Sequence, residues 1–459
     1  MRVVHSRLQH GVGQGSFHSA SVEVSEVSGT RYRFDYVYDC GALVGSKASP
    51  HLLNAIKRMD LSRRVDSDRA VIDALVLSHF DRDHIVGAEL LVKKFFVRRI
   101  YVPYLSPMKL ALVLAGQETP LDEFYVRELH GLANGTALLF EVPVTMVQSG
   151  GDGGNDGPPQ NPVAPEPSSS DETPGDEEVL PTSLQAVDGQ TGQPVGALMS
   201  TLHEVGLGVA GLPGPVPWIL RFWNRGLDSR LIDHLQQELS VVGFPLAALS
   251  RARDAGEIVD WLDPSTNRQA ALNAYRKAIS AYNPSWGAEA SGQRLANFLS
   301  MCMYSGPAAS QFRADRYQVL HSSDKGHCCS PTCWLWKDGP LWLAQAVGRV
   351  GWLGTGDAPL GEPQIWTDFS AHYATALGQT LTVQVPHDGA APIRGPKFFN
   401  PDLIQTPGMN AVVSVGSTNS YGHPRAGVLK DALAKGASLA VVTEHQWLGF
   451  HEVIDLRIP

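Results

Sequence analysis

Residues 74–84 read Ala74-Leu75-Val76-Leu77-Ser78-His79-Phe80-Asp81-Arg82-Asp83-His84. An apolar run of strand character is followed at once by two imidazoles and two carboxylates inside six residues. Such side chains are costly to bury unless paired or bound to an ion. Imidazole suits zinc, iron and manganese, and carboxylate shifts the preference toward harder ions. The stretch therefore reads as a metal-holding loop where a buried strand emerges, with a solvated loop as the alternative.

Working outward, the flanking sequence is strand-rich and then alternates with helices. Ser21–Val24 and Tyr32–Tyr38 alternate like half-buried strands, the second ending at Asp39-Cys40-Gly41. Residues 50–59 read as a helix, 71–77 as a strand, 87–96 as a helix and 99–103 as the next strand. This β-β-α-β-α-β order predicts a layered α/β fold. After residue 341 the signal resumes, with strands at Leu341–Ala344, Val350–Leu353, Leu381–Val385 and Ala411–Val415 and helices near 366–377 and 424–435.

Between these halves the character changes. No lysine or arginine occurs between Arg127 and Arg221, although twelve of the chain's 46 acidic residues do. The rest then carries 34 acidic against 37 basic residues, so the net charge of −9 does not exclude an anionic substrate. Residues 150–180, dominated by Gly, Pro, Ser and acid, are expected to be a disordered acidic linker. Residues 181–295 are expected to be a mostly helical insertion, with Leu231, Leu235 and Leu239 on one helical face. The first half of the main fold is then 1–149 and the second 296–459, with a loop insertion at about 308–338.

Composition is that of a globular protein, 43% hydrophobic and 18% charged, and no run approaches the ~18 apolar residues a membrane span needs. The start of the chain lacks the apolar core of a secretory signal. Five cysteines (Cys40, Cys302, Cys328, Cys329, Cys333) suggest no disulfide framework, so a cytoplasmic location is expected, with no membrane partner.

Three later segments carry chemistry at the ends of apolar runs: Gly356-Asp357, Pro386-His387-Asp388-Gly389, and Asn419-Ser420-Tyr421-Gly422-His423-Pro424. Polar groups at successive strand ends converge on one sheet edge, where α/β sites are built.

With these residues in view, the chain resembles the metallo-β-lactamase superfamily, and within it the ComEC-type hydrolase domain of bacterial DNA-uptake channels and its free-standing relatives. The resemblance rests on Val12-Gly13-Gln14-Gly15, Asp39-Cys40-Gly41, His79-x-Asp81-x-Asp83-His84, Asn297-x-x-Ser300, Gly356-Asp357, Pro386-His387-x-Gly389 and Tyr421-Gly422-His423-Pro424, in the family's order. It implies an αββα sandwich with a metal site along one edge. It also implies that His79 and Asp81 bind one divalent ion, that Asp83, His84 and His387 bind a second, and that Asp357 bridges them. Asp39 would support the loop from behind, and Asn297 and Ser300 would stand beside the ligands. Asp83 would also orient the attacking water, and His423 would contact a phosphate or scissile group or else hold its own turn.

A divalent ion brings the pKa of water from 15.7 toward about 7, and two ions ~3.5–4 Å apart neutralise charge on a phosphoryl oxygen. The expected function is a dinuclear phosphodiesterase or nuclease acting on nucleic acid or a nucleotide. The alternatives are hydrolysis of an ester, amide or thioester, and a non-catalytic, metal-stabilised subunit of a bacterial multi-gene system that docks a protein partner through the helical insertion. The departures from the pattern are informative. Asp81 stands where most of the superfamily has His, so the donor set is oxygen-rich and manganese or magnesium competes with zinc. Ser16 replaces an Asp, and Asp388 and Ala390 replace a His and a Ser, so substrate contacts do not transfer. The competence protein's channel segments are missing, so hydrolysis without DNA transport is expected.

Other features have two readings each. His327-Cys328-Cys329-x-x-x-Cys333, with His321 nearby, is a zinc knuckle or an ordinary loop. Trp218, Trp223, Trp334, Trp336 and Trp342 stack on bases or pack the core. Lys93-Lys94 and Arg98-Arg99 form a solvated face or a nucleic-acid patch.

Overall fold

The computed structural model describes residues 1–45, 47–59, 65–66, 68–116, 123–136, 138–148, 182–188, 204–209, 215–227, 229–249, 255–282, 297, 299–308, 312–321, 337–338, 349–361, 363–390, 399, 407–419, 422–445 and 449–457. The linker at 150–180, the strand expected at Leu341–Ala344 and the His327–Cys333 cluster lie outside them.

Two sheets face one another. In the first, Arg313–His321, Phe450–Arg457, Arg2–Gln9, Phe17–Ser25 and Arg31–Cys40 run antiparallel in that order. The sheet continues in parallel through Ala74–Val76, Ile100–Pro103 and Val142–Val147. In the second, Thr182–Asp188, Glu204–Val209, Pro215–Trp223, Cys302–Pro307 and Gly351–Gly354 are antiparallel. Thr380–Gln384, Asn410–Ser414 and Ser438–Val442 follow in parallel.

Side chains along a strand point alternately to opposite faces, and Arg31–Cys40 shows what each face meets. Phe34, Tyr36 and Tyr38 join Trp218, Leu220, Met303 and Trp352 of the other sheet in the core between the sheets. Val37 instead joins Leu52, Ile56, Leu91 and Leu110 of the covering helices. On the second sheet, Val383 and Val413 belong to the cluster that includes Ile365 and Phe369 of helix Pro363–His372. The layers are therefore helix, sheet, sheet, helix, as expected from the sequence.

Local signals explain the boundaries. Helix Pro50–Arg58 starts where the Ser49 hydroxyl accepts from the His51 N–H and Pro50 occupies the first turn, and it buries Leu52, Ala55 and Ile56. The strand expected at 71–77 is split into Arg69–Ile72 and Ala74–Val76. Between them the Asp73 carboxylate accepts from the Asp35 N–H at 2.7 Å. Residues 181–295, expected to be mostly helical, contain three strands (Thr182–Asp188, Glu204–Val209, Pro215–Trp223) before the helices Ser229–Val241, Leu246–Leu249, Ala255–Leu262 and Ser265–Tyr282.

The space between the sheets also holds polar groups. Strand Arg2–Gln9 turns Val3, His5, Arg7 and Gln9 inward. Arg7 Nε meets Glu452 Oε2 at 2.7 Å, and its other nitrogens donate to Val350 O and Thr382 Oγ1, each at 2.9 Å. Glu452 Oε1 accepts from Tyr317, Thr382 and Asn410. The His18 ring stacks on Trp352 at 4.0 Å, and both its nitrogens are buried without a hydrogen-bond partner.

Trp218 and Trp223 are buried, which favours packing over base stacking for these two. Lys93 pairs with Glu89 on the exposed surface, and Lys94 donates to the carbonyls of Ile56 and Lys57. Among the described residues no helix is long and apolar enough to cross a membrane.

Candidate metal centre

Three strand ends deliver the site. Ala74–Val76 leads into Ser78–His84, Gly351–Gly354 into Asp357, and Thr380–Gln384 into His387. Asp81 stands at the N-cap of helix Arg82–Ile85 but makes no side-chain capping bond. Gly41 lies so close to the backbone of Asp83 and His84 that a Cβ there would collide with it. Gly356 has φ +49°, and a Cβ there would strike Ser300 Oγ, so glycine lets that strand end reach the ligand loop.

The side chains converge on Asp357. Its Oδ1 is 3.3 Å from His84 Nε2, and its Oδ2 is 3.8 Å from His79 Nε2 and 3.6 Å from His387 Nε2. His79 Nε2 is also 3.9 Å from Asp81 Oδ2. With metal–nitrogen and metal–oxygen bonds of about 2.0–2.2 Å, ligand atoms sharing one ion stand roughly 3–4 Å apart, the spacing seen here. Ligand atoms of His79, His84 and Asp357 all lie within 4.8 Å of one another.

Asp39 sets which ring nitrogens carry protons. Its Oδ1 accepts from the Ser78 N–H at 2.7 Å, and its Oδ2 is 2.8 Å from both Ser78 Oγ and His84 Nδ1. An ionised carboxylate only accepts, so His84 Nδ1 donates to Asp39 and the Ser78 hydroxyl gives its proton to the same oxygen. The Ser78 oxygen must then accept from His79 Nδ1, 2.9 Å away. One carboxylate thereby aims the Nε2 lone pair of His79 at the cluster, through a serine. His79 Nε2 is buried without a hydrogen-bond partner, a costly arrangement that a metal ion would relieve. Asp39 itself has φ +57°.

The electrostatics agree. Burial and the neighbouring His84 push His79 down to about 3, keeping it neutral. Burial would lower His84 too, but Asp357 and Asp39 outweigh it and raise its pKa well above the usual imidazole value. Burial would raise Asp357, yet His387, His84 and His79 hold it well below the carboxylate range. A seat that makes a cation of a buried histidine between two carboxylates is one where a divalent ion is electrostatically favoured.

The remaining expected residues surround this cluster. Asn297 Nδ2 lies 3.4 Å from the His387 ring nitrogens. Ser300 Oγ accepts from the Asp357 N–H at 3.0 Å. Asp83 lines a cleft of about 450 Å³ with Gln14, His51 and Glu444. The His423 ring centre is 5.4 Å from that of His387, and burial, His387 and Arg425 push it down to about 4. Asn419 Nδ2 donates to the His423 carbonyl, and Asn419 Oδ1 accepts from the His423 N–H, so this histidine is also built into its turn.

Two residues acquire a place here that the sequence reading did not assign. Ser78 stands between the strand and His79, a position that is itself a usable signal. Asp388 departs from the related pattern and carries no local signal of a role. It is buried, accepts from Gln14 Nε2 at 2.5 Å, and has its carboxyl raised by burial and by Asp357.

No curated protein matches the chain. The model of the metallo-beta-lactamase superfamily matches residues 37–181, the stretch that supplies Asp39, Ser78, His79, Asp81, Asp83 and His84. The chain has a mixed α/β architecture consistent with a metallo-beta-lactamase fold.

Proposed function

We propose that this protein is a metal-dependent hydrolase that cleaves phosphodiester bonds, with nucleic acid or a nucleotide as substrate and two divalent ions as cofactors. The observation that carries the reading is the placing of His79, His84 and His387 around the Asp357 carboxylate at 3.3–3.8 Å. Divalent ions held there would acidify water and neutralise charge on a phosphoryl oxygen. His79, Asp81 and Asp357 would hold one ion, and Asp83, His84, His387 and Asp357 the other. Asp83, which faces the cleft, would orient the attacking water, and His423 would stand on the substrate side of His387. The choice of phosphodiester over carboxylic ester or thioester rests on the resemblance to the ComEC-type hydrolase domain. The carboxylates Asp81, Asp83 and Asp357 favour manganese or magnesium at least as much as zinc.

The test is side-by-side turnover of bis(p-nitrophenyl) phosphate, single-stranded DNA and p-nitrophenyl acetate by protein loaded with manganese or zinc. Phosphodiester cleavage should dominate and fall on the order of 10³-fold or more in Asp83→Ala and His84→Ala. Ester-only turnover would move the substrate to the carboxylic class. Equal rates for wild type and both variants would reject the hydrolase reading.

A further inference from the structure

The turn that carries His387 is held in an unfavourable backbone conformation. His387 and Asp388 have φ of 49° and 50°, the left-handed region that residues bearing a Cβ seldom occupy, and Gly389 follows at 78°. Two successive left-handed residues do not persist without bonds that select them. The His387 N–H donates to Gly356 O at 3.0 Å, and Gly389 O accepts from the Arg425 N–H at 3.0 Å, which fixes the two ends of the turn. The side chain at its centre, Asp388, is gripped by Gln14 Nε2 through Oδ2.

Gln14 comes from a loop far from His387 in the sequence. It lies between strands Arg2–Gln9 and Phe17–Ser25, its carbonyl accepts from the Leu43 N–H at 3.3 Å, and its backbone packs close against Gly416. Its side-chain oxygen is buried without a hydrogen-bond partner. The amide therefore spends its burial on Asp388. With both left-handed residues in place, His387 Nε2 lies 3.6 Å from Asp357 while Asp388 turns to Gln14.

We propose that Gln14 and Asp388 form a latch that positions His387: their hydrogen bond holds the left-handed turn, and without it the turn relaxes and carries the imidazole away from Asp357. Both are positioning residues. The latch rests on His387 belonging to the metal centre and is independent of the substrate. The related sequence pattern has a second histidine at residue 388, so this carboxylate-to-amide grip is a property of this chain.

The test uses the full chain with Gln14→Leu, Asp388→Ala and Asp388→Asn. The last keeps an acceptor for Gln14 and tolerates left-handed backbone. In chelator-stripped protein, carbethoxylation of each histidine by diethyl pyrocarbonate is followed by peptide mass spectrometry. His387 should react about tenfold faster in Gln14→Leu and Asp388→Ala, and Asp388→Asn should restore the wild-type rate, with His79, His84 and His451 unchanged. In parallel, binding of manganese at the weaker site should fall about tenfold or more in the first two variants. His387 reactivity within twofold of wild type in Gln14→Leu and Asp388→Ala overturns the latch, as does a rise shared by all histidines. If wild type binds no metal, the two-metal reading fails, while the His387 reactivity still decides the latch.

Discussion

Replacing Asp39 by Asn tests the proton bookkeeping of the site at nearly constant volume. Oδ1 accepts from the Ser78 N–H at 2.7 Å, and an amide oxygen can keep that bond. Oδ2 accepts from Ser78 Oγ and His84 Nδ1, both at 2.8 Å, and an amide nitrogen in its place would face two donors. The neutral ring that His84 must become to bind metal would then favour its proton on Nε2, the atom 3.3 Å from Asp357, where a protonated nitrogen cannot ligate. The Ser78 hydroxyl turns toward His79 Nδ1, 2.9 Å away, and forces the His79 proton onto Nε2 as well. Loss of a partner behind one metal ligand typically weakens binding 10–100-fold, about 1.4–2.8 kcal/mol. With two imidazoles miscast by one substitution, Asp39→Asn should lie near the upper figure, about 100-fold. The assay is manganese and zinc titration of stripped protein against a competing chelator, with circular dichroism to confirm the fold. Affinity within threefold of wild type would refute the argument that Asp39 dictates both tautomers.

Further outcomes follow from the interior and the ligand loop. His5 and His18 are fully buried, and burial and Arg7 depress both. Their folded-state pKa lies below the unfolded value near 6.5, so the unfolded chain takes up protons first and stability falls as pH drops below about 6.5, by roughly 2 kcal/mol per histidine at pH 5. Urea melts from pH 7.5 to 5 should show this slope, and His18→Phe should reduce it; an unchanged slope would assign it elsewhere. Arg7→Met leaves Glu452 as a buried charge without its cation and should cost about 3–5 kcal/mol in the same melts, whereas an effect below 1 kcal/mol would show that the pair is dispensable. Gly41→Ala drives a methyl group into the Asp83–His84 backbone and should abolish metal binding in protein that still gives a folded circular dichroism spectrum. Normal metal content in that variant would disprove the close approach.

The legible parts of this molecule share a cause. His79, Asp357 and His387 each follow a short apolar strand, so their convergence could be read from strand order, and strands Phe17–Ser25 and Arg31–Cys40 declared themselves by alternation. The illegible parts depend on contacts between residues far apart in the chain. Strand Arg2–Gln9 offers Val3, Val4 and Leu8 as its apolar members, yet His5 and Arg7 point inward beside Val3, because Tyr36 meets His5 Nε2 while Glu452, Thr382 and the Val350 carbonyl satisfy Arg7. The strands at 182–223 are interrupted by Gly and Pro, and pairing with Cys302–Pro307 of the second sheet and with Tyr32–Arg33 of the first holds them in place. Asp388 gave no local sign of its conformation, since its grip comes from Gln14 in the first loop.

Strand Phe450–Arg457 lies between Arg2–Gln9 and Arg313–His321, pairing eight residues with each. It is synthesised after both, so a growing chain holds two strands with open edges until residues 450–457 have been made. Those edges are sites for self-association, and truncation before residue 450 should yield aggregates rather than a smaller folded protein. Strand Arg2–Gln9 runs directly into the loop that carries Gln14, so the order of synthesis also has a chemical meaning. The loop that carries Gln14 therefore takes its final place beside the metal cluster only after residues 450–457 have been made.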